Sequence, residues 1–163
     1  MNGDFLRQVL DGGSIRTVDC VGYSSDELDK VARLYDINLQ GQLKLFLADM
    51  GKSDGGLIGD SMIQLYRPSW KVREHLLFQL DFFNQMQEEG FYDFLNKPFV
   101  FSLVSETQYY FIQTSLNDVV CHYDSNAETV KETEWDLVGF LKMLASENNG
   151  QLKPKSLGDL LEI

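Results

Sequence analysis

The stretch from Pro98 to Leu144 constrains the fold most strongly. Three short runs rich in β-branched and aromatic residues, Pro98 to Val104, Gln108 to Ile112 and Asp118 to Tyr123, are separated by Ser105-Glu106-Thr107 and Ser115-Leu116-Asn117. Turn residues between such runs predict an antiparallel meander. A helical repeat follows, with Leu137, Phe140, Leu141 and Leu144 on one side. Thr133 is its expected cap, Glu134 and Asp136 its expected first turn, and Asn148-Asn149-Gly150 its stop. Strands followed by a packed helix give an α+β fold, a central antiparallel sheet flanked by helices.

The residues before the meander read as mostly helical. Ser24-Ser25-Asp26-Glu27 is a capping box, followed by Leu28, Val31, Ala32 and Tyr35 at helical spacing. A second helix carries Leu43, Phe46, Leu47 and Met50, and Gly51 is expected to end it in a left-handed conformation. Leu57 to Tyr66 reads as one strand-like segment. Ser69 is the expected cap of a long helix whose apolar side is Val72, Leu76, Leu80 and Phe83. Residues 1–23 form an expected N-terminal helix (Asp4 to Leu10) and linker, and 24–146 the single α+β domain. Residues 147–163 form a tail that is either loose or a short docking helix through Leu157, Leu160 and Leu161.

With 163 residues, 11 of them Phe and 7 Tyr, the chain can build a core on large rings. Lys and Arg number 14 against 25 Asp and Glu, a formal charge of −11. That excess repels phosphate backbones and anionic lipid and favours a basic protein partner. Cys20 and Cys121 are too few for a disulfide framework. Met1 to Leu10 lacks the basic and apolar regions of a signal peptide, and no apolar run approaches a membrane span. A cytoplasmic protein with reduced thiols, monomeric or weakly dimeric, is expected.

No catalytic or metal-binding pattern emerges. Cys121 and His122 are adjacent on a strand and so face opposite sides, which separates a thiol from its nearest base. Cys121 reads as a small buried residue and His75 as solvated or cap-like. The sequence has no HExxH, no EF-hand oxygen pattern and no completed phosphate loop around Gly12-Gly13 or Gly55-Gly56. Neither a cofactor nor a metal ion is therefore expected, and the chain reads as no enzyme. Aromatic residues beside acids are instead a docking composition. Tyr66 and Trp70 are candidate anchors with Tyr109, Tyr123 and Trp135, and Asp124, Glu132, Glu134 and Asp136 are the candidate acids for Lys and Arg contacts.

The element order resembles the SUKH superfamily, which includes bacterial immunity proteins and the Smi/Knr regulators. The resemblance rests on Leu39-Gln40, Leu43, Phe46-Leu47 and Gly55-Gly56, on the three strand runs, and on Trp135 to Leu141. Gln40 stands where that family usually has Pro, and Trp135-Asp136 where it has Ser-Phe. The resemblance implies an α+β binding domain without catalytic residues. It implies an immunity protein that neutralises a toxin, here a basic nuclease-type toxin, by direct binding. The alternative is a regulatory or scaffold module that binds a cellular protein or peptide.

Overall fold

A computed structural model of the chain describes residues 20–147 and 153–163. Within them run the helices α1 (Ser25–Leu34), α2 (Gly41–Met50) and α3 (Val72–Glu88), then the strands β1 (Pro98–Val104), β2 (Gln108–Gln113), β3 (Val119–Asp124) and β4 (Thr129–Asp136), and finally α4 (Leu137–Glu147). The strands form one antiparallel sheet in the order β1-β2-β3-β4, flanked by the helices, as an α+β fold requires. The expected helix Asp4 to Leu10 and the stop at Asn148-Asn149-Gly150 lie outside the described residues.

Strand alternation divides the side chains between two cores. Phe99, Phe101, Ile112 and Val120 pack with α1, α2 and α4. Val100, Tyr109, Phe111, Cys121 and Tyr123 meet Phe82 and Met86 of α3 on the opposite face. A bulge in β1 between Val100 and Ser102 leaves Phe101 without a partner in β2. The extra residue turns both Phe101 and Ser102 toward the α4 side, where Phe101 meets Phe140 and Ser102 donates to the Met62 carbonyl at 2.7 Å.

The α1 capping box forms as its sequence dictates. Glu27 N–H donates to Ser24 Oγ at 3.2 Å, and Ser24 N–H to Glu27 Oε1 at 2.9 Å. Several other expectations are corrected. Residues 129–136 are a fourth strand, so Thr133, Glu134 and Asp136 do not begin a helix in the expected way. Asp124 makes the turn, its Oδ1 accepting from Asn126 and Ala127 N–H, and the chain returns along β3. Between Cys121↔Glu132 and Val119↔Asp136 the register shifts. Thr133 spans that irregularity, donating to the Val120 carbonyl and accepting from Trp135 N–H. Asp136 takes over the cap, accepting from Gly139 N–H at 2.8 Å. Gln42 locks the same corner, donating to Asp136 Oδ2 and accepting from Val138 N–H.

The segment between α2 and α3 also departs from expectation. Gly51 has φ −70, in the right-handed region. Leu57 to Tyr66 is a set of turns ending in a 3₁₀ turn at Gln64–Tyr66, with one isolated bridge from Ile63 to Ser102. Buried Asp54 organises these turns, accepting from the N–H groups of Gly56, Ile58 and Gly59. Ser69 does not cap α3, which starts after Lys71, whose N–H donates to Glu74. Its buried residues are His75, Phe82 and Met86, while Leu77 and Leu80 are exposed. Aromatic rings on β2 and β3 select that side over the aliphatic one.

The tail is not helical in its described part, yet it is docked. Leu160 is fully buried, its N–H donating to the Tyr23 hydroxyl and its carbonyl accepting from the Tyr35 hydroxyl. At Gly158 a Cβ would lie 2.0 Å from the Leu65 carbonyl oxygen, so only glycine permits this approach.

His75, expected at the surface, is buried against Trp70, with ring centroids 5.3 Å apart. Desolvation lowers its pKa from 6.5 to about 4, opposed by Glu74 and Asp159 and aided by Arg67. The unfolded chain therefore binds more protons between these values. Stability contributed by neutral His75 is complete above pH 6.5 and is lost as the pH falls toward 4, by about 3 kcal/mol. Urea titrations across this range are expected to show a shallower acid slope for His75→Leu than for the native chain. Equal slopes would contradict the buried neutral imidazole.

Candidate functional site

Burial separates the residues nominated from sequence into two groups. Tyr66, Tyr109 and Tyr123 are interior. The Tyr66 hydroxyl donates to the Met50 carbonyl at 2.8 Å. Tyr109 and Tyr123 pack on Phe82 with centroids 5.6 and 5.9 Å away. Their place on β2 and β3 is the α3 face, so these rings build the core and do not offer anchors. Half-buried Trp70 lies before α3, edge-on to His75 with the Arg67 guanidinium 4.7 Å over its ring. Asp124 is committed to its turn and Asp136 to the α4 cap. The turn N–H groups, Ala127 first, hold the Asp124 carboxyl below its usual range. The Gln42 amide, then Gly139 N–H, does the same for Asp136.

Glu132, Glu134 and Trp135 are brought together. With Tyr110, His122, Lys131 and Thr133 they border a shallow groove of about 440 Å³ that opens on the α4 side of the sheet, although the Cys121↔Glu132 pairing turns the Glu132 side chain toward the α3 face. Its floor is aromatic. Tyr110 stacks on His122 at 4.8 Å and 20°, and Phe140 backs both Tyr110 at 4.6 Å and Trp135 at 5.9 Å. His122 Nε2 lies 2.6 Å from Gln108 Oε1. Burial lowers the His122 pKa, with Asp124 opposing and Lys131 assisting. Glu132 and Glu134 are exposed, and neither has an ion-pair partner among the described residues.

A second set of acids combines Glu128 of the β3–β4 turn with Glu88 and Glu89 at the end of α3. Partial desolvation, then the carboxylates of Glu128 and Glu88, hold the Glu89 carboxyl above its usual range. Burial first, then Glu89, Tyr109 and Glu128, raise the Tyr123 hydroxyl; Glu89 directly follows α3 and Glu128 directly precedes β4.

Burial pushes the Cys121 thiol up to about 11, away from the reactive thiolate, and it faces α3 while His122 faces the groove. Among the described residues no group of three or more His, Cys, Asp or Glu is placed to hold a metal ion. No described helix is long and apolar enough to cross a membrane.

Tyr110, His122 and Lys131 were not nominated from sequence as contact residues. Their signal is the pairing register, Tyr110↔His122 and His122↔Lys131, which aligns all three on one face. Family models, curated proteins and solved structures offer no match to this chain.

Proposed function

We propose that this chain is a non-catalytic binding protein that neutralises a basic, nuclease-type toxin domain by direct contact. The observation that carries this reading is the pair Glu132 and Glu134. Both carboxylates are exposed along β4, the strand that borders the aromatic groove, without a cationic partner among the described residues, in a chain of charge −11. A nuclease needs a basic surface to hold phosphates, and an acidic inhibitor can occupy that surface in their place. Aromatic groups next to charges supply the desolvated contact area on which tight interfaces rely. The resemblance to SUKH immunity proteins points the same way.

The test is co-expression with a toxin encoded beside this chain, followed by association kinetics across a salt series. The native chain is expected to protect the host and to elute with the toxin domain from a sizing column. Glu132→Lys with Glu134→Lys should slow association by about tenfold at low salt and flatten its salt dependence. The variant's unfolding midpoint should barely move, since both side chains are exposed. Absence of both protection and complex would refute the reading.

A further inference from the structure

The two edges of the sheet are treated differently. Ladder alternation leaves the N–H and C=O of Val100 and Leu103 pointing outward from β1. Both positions are capped by side-chain amides. Gln79 accepts from Val100 N–H at 2.9 Å and donates to its carbonyl at 2.8 Å. Gln64 likewise takes both backbone groups of Leu103, accepting from its N–H and donating to its carbonyl at 3.0 Å. The Ile63–Ser102 bridge covers the residues between. Two glutamines thus imitate a neighbouring strand along β1.

Among the described residues the β4 edge has no comparable cover. Ser125 N–H donates to the Thr107 carbonyl, which fixes the alternation in the β2–β3 ladder and, through β3, in β4. Lys131 then faces β3 with its backbone groups, while Val130 and Glu132 present theirs outward. No side chain among the described residues bonds those outward groups. An open edge of this kind is a template for another strand. Its flanking charge selects among strands: Glu132 on the edge itself, Glu134 next along it, and Glu128 with Glu89 at the turn end.

The geometry points to the outer edge of β4 as a strand-docking site for an extended segment of the partner with Lys or Arg at every second position. This deepens the proposed function and rests on it, since the partner is taken to be basic. In an antiparallel addition, a residue opposite Glu132 shares its face and exchanges both backbone hydrogen bonds with it. A basic residue there meets the Glu132 carboxylate while its own N–H and C=O close the edge. Edge-to-edge pairing of two copies would instead bring the Glu132 and Glu134 carboxylates of both chains together, which like charge opposes.

The probe is a synthetic eight-residue peptide alternating Lys with Val, titrated against the full chain at low and high salt. The unmodified peptide should bind, more weakly as salt rises. Amide exchange at Val130 and Glu132 should be fast in the free chain and slowed by the peptide, with Lys131 little changed. N-methylation at the Lys positions should weaken binding at least about tenfold, while N-methylation at the Val positions should not. Glu132→Pro removes only an outward N–H, so it should keep the fold and lose the peptide. Equal binding of the two methylated peptides would overturn strand addition while leaving a basic partner intact. Absence of any salt-dependent binding would overturn both readings. A dimer of the free chain that Glu132→Pro splits would assign the edge to a second copy and overturn this proposal.

Discussion

Replacing Phe140 with alanine is expected to lower the unfolding free energy by about 3–5 kcal/mol. Phe140 is fully buried on α4, where Phe101, Tyr110 and Trp135 converge with centroids 5.6, 4.6 and 5.9 Å away. Close packing leaves those neighbours little freedom to fill the space of a lost ring, so the cavity adds to the lost transfer energy. A domain of ordinary stability would lose a large part of its margin. Tyr110 and Trp135 are also the groove floor, so the variant should bind a partner less well even where it remains folded. Urea unfolding measures the first effect. A loss below about 1 kcal/mol would contradict the central place given to this ring.

Asp54→Ala should cost about 4 kcal/mol, because three buried N–H groups would lose their acceptor and each such orphan costs about 1–3 kcal/mol. Oδ1 accepts from Gly56, and Oδ2 from Ile58 and Gly59, at 2.8 to 3.1 Å. Asparagine can set its one oxygen at the Oδ2 position, keeping the Ile58 and Gly59 bonds and opposing only Gly56 N–H with an amide donor, so Asp54→Asn should recover part of the loss. The same turns hold the tail, since Lys153 N–H donates to the Gly56 carbonyl at 2.7 Å and Gly158 N–H to the Lys52 carbonyl at 2.9 Å. Amide exchange at Leu160 should therefore accelerate in Asp54→Ala more than global destabilisation explains. Unchanged Leu160 protection relative to the global unfolding rate would show that the turns and the tail are not coupled in this way.

Legibility in the sequence followed the range of the interactions. The α1 cap depends on groups three residues apart, and Ser24 with Glu27 announced it. The meander of β1 to β3 was readable from alternation and turn residues. β4 was not, because Thr133-Glu134-Trp135-Asp136 imitates a helix start. What decides the matter is Thr133 bonding the Val120 carbonyl across the sheet. In α3 two stripes share helical spacing, and rings contributed by distant strands choose between them. Asp54 gave no local sign that its carboxylate would be buried. The candidate site was half legible for the same reason. Acids beside Trp135 marked the groove, whereas the direction faced by Tyr109 and Tyr123 depended on α3 covering the other side of the sheet.

Amide exchange across the full chain, with and without a basic nuclease-type toxin domain, is the sharpest check of binding through β4 and the groove. The account predicts slowed exchange concentrated between Glu128 and Asp136 and at the groove residues Tyr110 and His122, weakening as salt rises. Protection confined to the hollow between α1 and α2, lined by Tyr23, Leu28 and Lys44, with β4 unchanged, would contradict it.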